Sequence, residues 1–254
     1  MTATVITDRA TTVLAANPGL MTLDGTNTWI LREPGAARSV VVDPGPSDDS
    51  HLQSVLAAAG EVGLVLFTHR HFDHTEALAR IVDLTGAPAR STDPEFTRGA
   101  EPLVDGETIV VDGLEIEVLA TPGHTTDSTC FLLGAEQSLL SGDTILGRGT
   151  TVIAHPDGVL GPYLDSLAHI RELVEEGLVE RILPGHGPVI ETPAAVVDFY
   201  LEHRADRLEQ VRVAVAAGAT TAREVVEAVY QDVDQSLWGA AELSVAAQLD
   251  YLRA

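Results

Sequence analysis

Positions 66–74 of the chain read Leu-Phe-Thr-His-Arg-His-Phe-Asp-His, which places four possible metal ligands within six residues. The apolar run at 62–67 that leads into them has the length and the β-branched and aromatic content of a buried strand. Residues 75–84 carry apolar side chains at helical spacing, and Gly86 follows them. We therefore expect these ligands on a tight turn between a strand and a helix, where several can point into one pocket.

The crowding of this stretch favours a metal site over two simpler interpretations. A single histidine is usually a packing or surface residue, and Asp73 with Glu76 fits a helix capping box. Three histidines and an aspartate on one turn, however, repel and desolvate one another unless a cation lies among them.

The same pattern of strand, Gly or Pro turn and ligand-type residue recurs further along the chain. It places His124 after Thr-Pro-Gly, Asp143 after Ser-Gly, and His186 after Pro-Gly. Asp43 ends another apolar run just before Pro44. Asp43 is either the first residue of an Asx turn or a carboxylate that supports a ligand, and the sequence leaves both open.

Imidazole and carboxylate donors without cysteine suit a catalytic zinc site, with iron or manganese as alternatives. We expect two cations, each with an open position, about 3.5–4 Å apart, which would hold a bridging hydroxide that attacks a carbonyl or phosphorus. The predicted ligands form one group of His69, His71 and His124 and a second of Asp73, His74 and His186, with Asp143 as the bridge.

Composition limits the possible partners. The 254 residues carry a net charge of −23, and all fifteen basic residues are arginine. This charge argues against binding to double-stranded DNA, which needs a basic face, but it leaves a local arginine-lined cleft or a metal-centred attraction for anions open. The hydrophobic fraction of 45% is that of a globular protein.

We expect a cytoplasmic protein without membrane association. The first ten residues lack the basic and apolar regions of a signal peptide, and no apolar run reaches the length of a membrane span. The single cysteine, Cys130, lies in an apolar run and is expected to be a buried, unpaired thiol.

Two domains are predicted, in an α+β chain. Residues 1–192 alternate strands and helices in two halves, which indicates a two-sheet sandwich with helices outside and strand ends gathered at one edge. Residues 193–254 read as a small helical domain that packs over the site or at a homodimer interface. Strands are predicted at 27–31, 39–43, 108–111, 114–119, 129–133, 138–140 and 181–183, and helices at 50–59, 163–176, 194–217, 221–230 and 236–252.

These motifs resemble those of the metallo-β-lactamase superfamily over roughly residues 10–192. The resemblance lies in Asp43, in Thr-His-Arg-His-Phe-Asp-His at 68–74, and in the short motifs at 121–124, 141–144 and 184–187. It implies an αββα sandwich, a dinuclear zinc hydrolase site with the ligands above, and a role for Asp73 in orienting the nucleophile. Superfamily β-lactamases commonly carry cysteine at the position of Asp143, which argues against antibiotic hydrolysis. His71, which flavodiiron relatives replace by glutamate, favours hydrolysis over oxygen or NO reduction.

Within the superfamily, the chain resembles the branch of β-lactamase-like protein 2. This resemblance lies in Gly-Thr-Asn-Thr-Trp at 25–29, Tyr-Leu-Asp-Ser-Leu at 163–167 and the helical tail. Members of the branch carry a winged-helix-like C-terminal domain, and the animal protein is a single-strand endoribonuclease. The resemblance therefore implies a phosphodiester substrate such as single-stranded RNA.

Three functions remain open at this point. The first is hydrolysis of a phosphodiester, and the second is hydrolysis of a small-molecule thioester or other acyl compound, as in glyoxalase II, which shares the Thr-His-x-His-x-Asp-His run. The third is a metal-stabilised binding or assembly protein. Arg70 and Arg148 are candidates for holding an anionic group of the substrate, with solvated surface residues as the simpler interpretation.

The other histidines are expected to be packing or surface residues. They are His51, His155, His169 and His203, of which only His155, in the glycine-rich segment at 144–162, is a candidate substrate contact.

Overall fold

Two β-sheets pack face to face in the computed structural model of the chain, which describes residues 2–231 and 233–253. Helices cover the outer face of each sheet, so the predicted αββα sandwich is confirmed. The first sheet has the order β1 (Ala3–Val5), β2 (Ala10–Leu14), β3 (Asn27–Leu31), β4 (Arg38–Val42), β5 (Glu61–Leu66) and β6 (Ala89–Arg90). The second has the order β11 (Arg181–Pro184), β10 (Ser138–Gly142), β9 (Thr129–Leu133), β8 (Leu114–Ala120) and β7 (Thr108–Val111).

Apolar side chains fill both faces of the central strands. In β4, Val40 and Val42 point between the sheets, whereas Val41 points towards the helices. The cysteine Cys130 in β9 faces the helical side, where it is buried as expected. Because successive residues of a strand alternate between faces, a continuous apolar run is needed wherever both faces are covered.

Seven helices lie in the described part of the chain and complete the fold. α1 and α3 cover the first sheet, and α4 with the first half of α5 covers the second. No helix in residues 2–231 and 233–253 is long and apolar enough to cross a membrane. The helices are α1 (Asp49–Ala59), α2 (Phe72–Thr75), α3 (Leu78–Thr85), α4 (Leu160–Glu175), α5 (Pro193–Ala216), α6 (Ala222–Val229) and α7 (Trp238–Arg253).

The predicted start of the first ligand helix is wrong. The helix begins at Phe72 rather than Thr75, so Asp73 and His74 lie on its first turn, and a break at Ala77 separates α2 from α3. The N-cap is His71, which makes no side-chain capping bond. Sequence gives no start signal there, because helix starts are recognised by Ser, Thr, Asp or Asn at this position. The segment 89–98 contains β6 and a 3₁₀ turn at Pro94–Phe96.

Helix α5 belongs to two hydrophobic cores. Val197 and Tyr200 pack with α4 against the second sheet, whereas Val211 and Ala214 pack with α6 and α7. The C-terminal region has no strand within residues 193–231 and 233–253. The domain boundary at residue 192 stays a prediction, since one continuous helix connects the two cores.

Candidate metal centre

All seven predicted ligands meet at one edge of the sandwich, where strands end in turns. β5 leads to the His-rich turn, β8 to His124, β10 to Asp143 and β11 to His186. The donor atoms fall into two groups, within each of which all atoms lie within 4.8 Å of one another. The groups are His69, His71, His124 and Asp143, and Asp73, His74 and His186.

In the first group, three imidazole rings converge. Nδ1 of His71 lies 3.0 Å from Nε2 of His69 and 3.0 Å from Nε2 of His124. Three ring nitrogens at these distances cannot all satisfy one another by hydrogen bonds, because a neutral imidazole has only one N–H. A cation among them would satisfy all three lone pairs.

In the second group, a carboxylate joins two imidazoles. Nε2 of His74 lies 3.3 Å from Nε2 of His186. Oδ2 of Asp73 lies 3.1 Å from the His186 nitrogen and 3.3 Å from the His74 nitrogen. Two nitrogens and one oxygen are a common donor set for zinc and also suit iron and manganese.

Asp143 lies between the two groups. Its Oδ2 is 3.3 Å from Nε2 of His186 and 3.8 Å from Nε2 of His124, so one oxygen reaches a member of each group. Its Oδ1 is buried and has no hydrogen-bond partner within the described part of the chain. A buried carboxylate oxygen without a donor is costly unless a cation is bound. The residues therefore fit a pair of cations with Asp143 shared between them.

Backbone carbonyls fix the orientation of two of these imidazoles. Nδ1 of His124 lies 2.9 Å from the carbonyl oxygen of Val152, and Nδ1 of His186 lies 3.0 Å from that of Gly25. A carbonyl oxygen only accepts, so Nδ1 carries the proton in both rings and donates it. The lone pair of Nε2 is then free and points into the cluster.

Asp43 supports two further ligands from behind. It accepts hydrogen bonds from Nδ1 of His74 at 2.8 Å and from the hydroxyl of Thr68 at 2.7 Å. Because the Thr68 hydroxyl donates to Asp43, its oxygen accepts from Nδ1 of His69 at 3.0 Å. Of the two roles left open by the sequence, Asp43 has the supporting one, and it orients both rings with Nε2 towards the cluster.

The electrostatics of the histidines in the first group suit cation binding. Burial lowers the pKa of His124 to about 4, and burial together with His74 holds the pKa of His69 well below its usual value. These rings are neutral at pH 7 and keep their lone pairs. Burial would raise the pKa of Asp143, but the neighbouring His186 and His74 hold it well below its usual range, so the carboxylate is ionised.

Two glycines allow the turns to approach one another. A Cβ on Gly185 would lie 2.5 Å from Oδ1 of Asp143 and 2.9 Å from Cε1 of His74. A Cβ on Gly142, whose φ is +48°, would lie 2.6 Å from Oγ1 of Thr68. The Pro-Gly-His-Gly and Ser-Gly-Asp-Thr motifs therefore contain glycine for steric reasons at the centre of the site.

A cavity of about 140 Å³ opens onto the cluster. Asp73 is its most exposed carboxylate, with 27% of the side chain accessible against 9% for Asp143. The glycine-rich segment at 144–162 contributes part of the wall, and the loop before β3 contributes another part. Apolar side chains on the wall are Leu20, Met21, Leu23, Leu146 and Val152.

The two candidate anion-binding arginines are both paired. Arg70 donates to Asp127 at 3.0 Å and also lies within ion-pair distance of Asp93 and Asp157. Arg148 lines the cavity, where it forms an ion pair with Asp24. Neither is a free cation facing the substrate.

The remaining histidines lie apart from the cluster. His51 is buried and 2.9 Å from the Thr28 hydroxyl, and His169 is exposed on α4. His155 pairs with Asp250 of α7 and does not line the cavity over the cluster. His203 lines a different cavity, next to α5.

This sandwich, with two donor groups at one edge, is the architecture of a metal-dependent hydrolase. Residues 21–186 match the Metallo-beta-lactamase superfamily, and the chain belongs to that superfamily. Residues 221–254 match the Beta-lactamase associated winged helix domain, which confirms the predicted character of the C-terminal region.

Several known proteins are similar to this chain. A Beta-lactamase-like protein 2 homolog from Caenorhabditis elegans is 36% identical over 240 residues, covering 89% of this chain and 78% of the relative. An Atrochrysone carboxyl ACP thioesterase from Aspergillus fumigatus is 36% identical over 248 residues, covering 89% and 75%. A metallo-beta-lactamase family protein from Thermus thermophilus has a TM-score of 0.81 at 22% identity, covering 97% of this chain and 94% of that one, which shows the shared fold.

Proposed function

We propose that the chain is a dinuclear zinc hydrolase that cleaves thioesters or related acyl compounds. The observation that carries this proposal is the wall of the cavity over the cluster, which is apolar apart from threonines, glycines and one paired arginine. Apolar side chains stabilise a bound acyl chain by removing it from water. A polyanionic substrate would instead require unpaired cations along its path.

The chemistry divides between the cations and the protein. When bound, the two cations would polarise the substrate carbonyl and lower the pKa of a metal-bound water to about 7. The Asp73 carboxylate reaches the cavity and is held by the Thr26 hydroxyl at 3.1 Å. His74 and His186 hold its pKa below the usual value against the effect of burial, so it is ionised and able to orient the attacking water.

The comparison with known proteins leaves acyl and phosphodiester substrates both open. The relative named Atrochrysone carboxyl ACP thioesterase is as similar in identity as the Beta-lactamase-like protein 2 homolog. Both relatives span nearly all of this chain, so neither decides the substrate.

A phosphodiester such as single-stranded RNA is the second candidate. It is supported by the similarity to Beta-lactamase-like protein 2 homologs from two animals. It ranks lower because the net charge is −23 and both arginines near the metal centre are engaged by carboxylates. The third function, metal-stabilised binding or assembly, ranks lowest, because a carboxylate of the cluster faces an open cavity.

A substrate panel distinguishes these functions. Single-stranded RNA, an acylglutathione thioester and a chromogenic phosphodiester are each assayed with wild type and with the Asp73→Ala variant. The Asp83→Ala variant, which changes an exposed residue of α3, serves as the matched control. We expect thioester cleavage that Asp73→Ala abolishes and Asp83→Ala preserves. Cleavage of RNA alone would establish the second candidate, and equal inertness of all three proteins would contradict catalysis.

A further inference from the structure

A second cavity lies directly beside the metal centre. Its volume is about 210 Å³, and it is lined by α5, the C-terminal helices and residues 150–152. The same residues 150–152 also line the cavity over the cluster. This short segment is therefore a shared wall between the two cavities.

The second cavity contains unsatisfied nitrogen atoms. Arg204 is 7% exposed and donates to the carbonyl of Thr151, with its guanidinium 5.2 Å from the Tyr163 ring centre. Its Nε is buried without a hydrogen-bond partner in the described part of the chain. Nδ1 of His203 is likewise buried without a partner there. Buried nitrogen atoms of this kind are normally paired, so the two side chains lack a partner that packing usually supplies.

The same cavity has an excess of positive charge. Within residues 2–231 and 233–253, neither Arg204 nor Arg207 has a carboxylate oxygen within the 4.0 Å ion-pair distance. Arg207 bonds to Gln210 and stacks 4.3 Å from the Tyr230 ring centre. Other arginines that surround the metal centre, such as Arg70 and Arg148, are neutralised by acids. Two guanidinium groups that line one cavity without a carboxylate partner among the described residues favour an anionic ligand.

We propose that this cavity is an anion subsite that binds the phosphate of a thioester substrate. The inference rests on the proposed thioester hydrolysis. The acyl group lies over the cluster, and the thiol half extends past residues 150–152 and places its phosphate between Arg204 and Arg207. In the reaction, water provides the hydroxyl of the released acid and the proton of the released thiol as the C–S bond breaks. The substrate class is an acylated, phosphorylated thiol of the phosphopantetheine type.

Kinetics with a matched pair of substrates test the subsite. The pair is S-butanoyl 4′-phosphopantetheine and S-butanoyl pantetheine, which differ only in the phosphate. We expect wild type to prefer the phosphorylated thioester by about 10- to 100-fold in kcat/KM, the effect of a charged hydrogen bond. Arg207→Met should remove most of this preference through KM and leave the pantetheine thioester unaffected.

The control variant is Arg212→Met, which changes an exposed arginine of the same helix that pairs with Glu209. Arg212→Met should retain the full preference. Arg204 is a poor choice for the first test, because it bonds to Thr151, whose hydroxyl lies 3.2 Å from Nδ1 of His124. A loss of activity towards both thioesters in Arg207→Met, or an unchanged preference, would overturn the proposal.

Calorimetric titration decides the subsite independently of activity. The ligands are S-methyl 4′-phosphopantetheine and S-methyl pantetheine, neither of which has a free thiol that binds metal. We expect wild type and Arg212→Met to bind the phosphorylated ligand more tightly than the other ligand, and Arg207→Met to bind both equally. This result supports the subsite even if wild type hydrolyses neither thioester and the proposed function fails. Equal binding of both ligands overturns it. The proposal is also overturned if a single-stranded oligoribonucleotide binds in a way that depends on Arg207 and neither pantetheine ligand does.

Discussion

Nδ1 of His74 lies 2.8 Å from Oδ2 of Asp43, and both side chains are almost fully buried. The contact joins the end of β4 to the first turn of α2. It turns Nε2 of His74 towards the cluster, so the position of a predicted ligand depends on a residue that does not itself reach the cations.

The Asp43→Asn variant tests this dependence. Asparagine tolerates the positive φ of +51° at this position, so the fold should be retained. Asparagine has one acceptor oxygen where aspartate has two, so it cannot keep all the hydrogen bonds from His74 and Thr68. The affinity for metal should therefore fall about 10- to 100-fold. Chelator competition measures the affinity, and the exposed Asp49→Asn variant is the control. Equal chelator titrations for wild type and Asp43→Asn would disprove the supporting role.

Gly185→Ala should remove metal binding by a steric route. Its Cβ would lie 2.5 Å from Oδ1 of Asp143, closer than real contacts allow, and 3.1 Å from the backbone carbonyl carbon of Gly142. We expect metal content to drop by at least one ion per chain, as measured by elemental analysis. Gly134→Ala is the matched control, because a Cβ there meets no atom within 4 Å. Full metal content in Gly185→Ala would mean that the turns are more loosely packed than the structure indicates.

Arg70→Gln should affect stability rather than substrate binding. The variant leaves the buried Asp127 without its main counter-ion, which should lower the free energy of unfolding by about 2–3 kcal/mol. Arg148→Gln removes an ion pair between two half-exposed side chains and should change the free energy of unfolding much less than Arg70→Gln does. Chemical denaturation measures both values. A KM for an anionic substrate that rises in Arg70→Gln without any loss of stability would contradict this assignment.

Tyr163→Phe should weaken the packing of α4 against the second sheet without altering the predicted metal ligands. The Tyr163 hydroxyl donates to the carbonyl of Thr144 at 2.7 Å, in a fully buried position. Its removal should lower the free energy of unfolding by about 1–2 kcal/mol. Thermal denaturation of Tyr163→Phe and of the exposed control Tyr251→Phe measures the difference. Equal melting temperatures would show that the bond contributes no net stability.

Sequence predicts those parts of this protein that depend on local pattern. The apolar run of β5 and the Pro-Gly turns before His124 and His186 are local features. They place the ligands correctly at the ends of strands. The helix start at Phe72 escaped prediction because its N-cap is a histidine with no capping bond, and Phe72 itself is 70% exposed. Its position is fixed by the cluster rather than by helix propensity.

The rest of the site depends on contacts between distant parts of the chain. Arg204 reaches Thr151 across 53 positions, and sequence pattern carries no sign of that contact. The apolar wall at residues 20–23 is equally hidden, because exposed leucine and methionine in a loop resemble ordinary surface residues. Asp43 was recognised as notable, but its partner His74 is identified only by the packing of β4 against β5.

Anomalous diffraction from crystals of the metal-loaded protein tests the central claim most directly. Data collected on both sides of the absorption edge of the metal locate each cation and identify the element. We expect two peaks per chain, one among the imidazoles of His69, His71 and His124 and one among Asp73, His74 and His186, with the Asp143 carboxylate between them. A single peak, or peaks away from these side chains, would contradict the two-metal site.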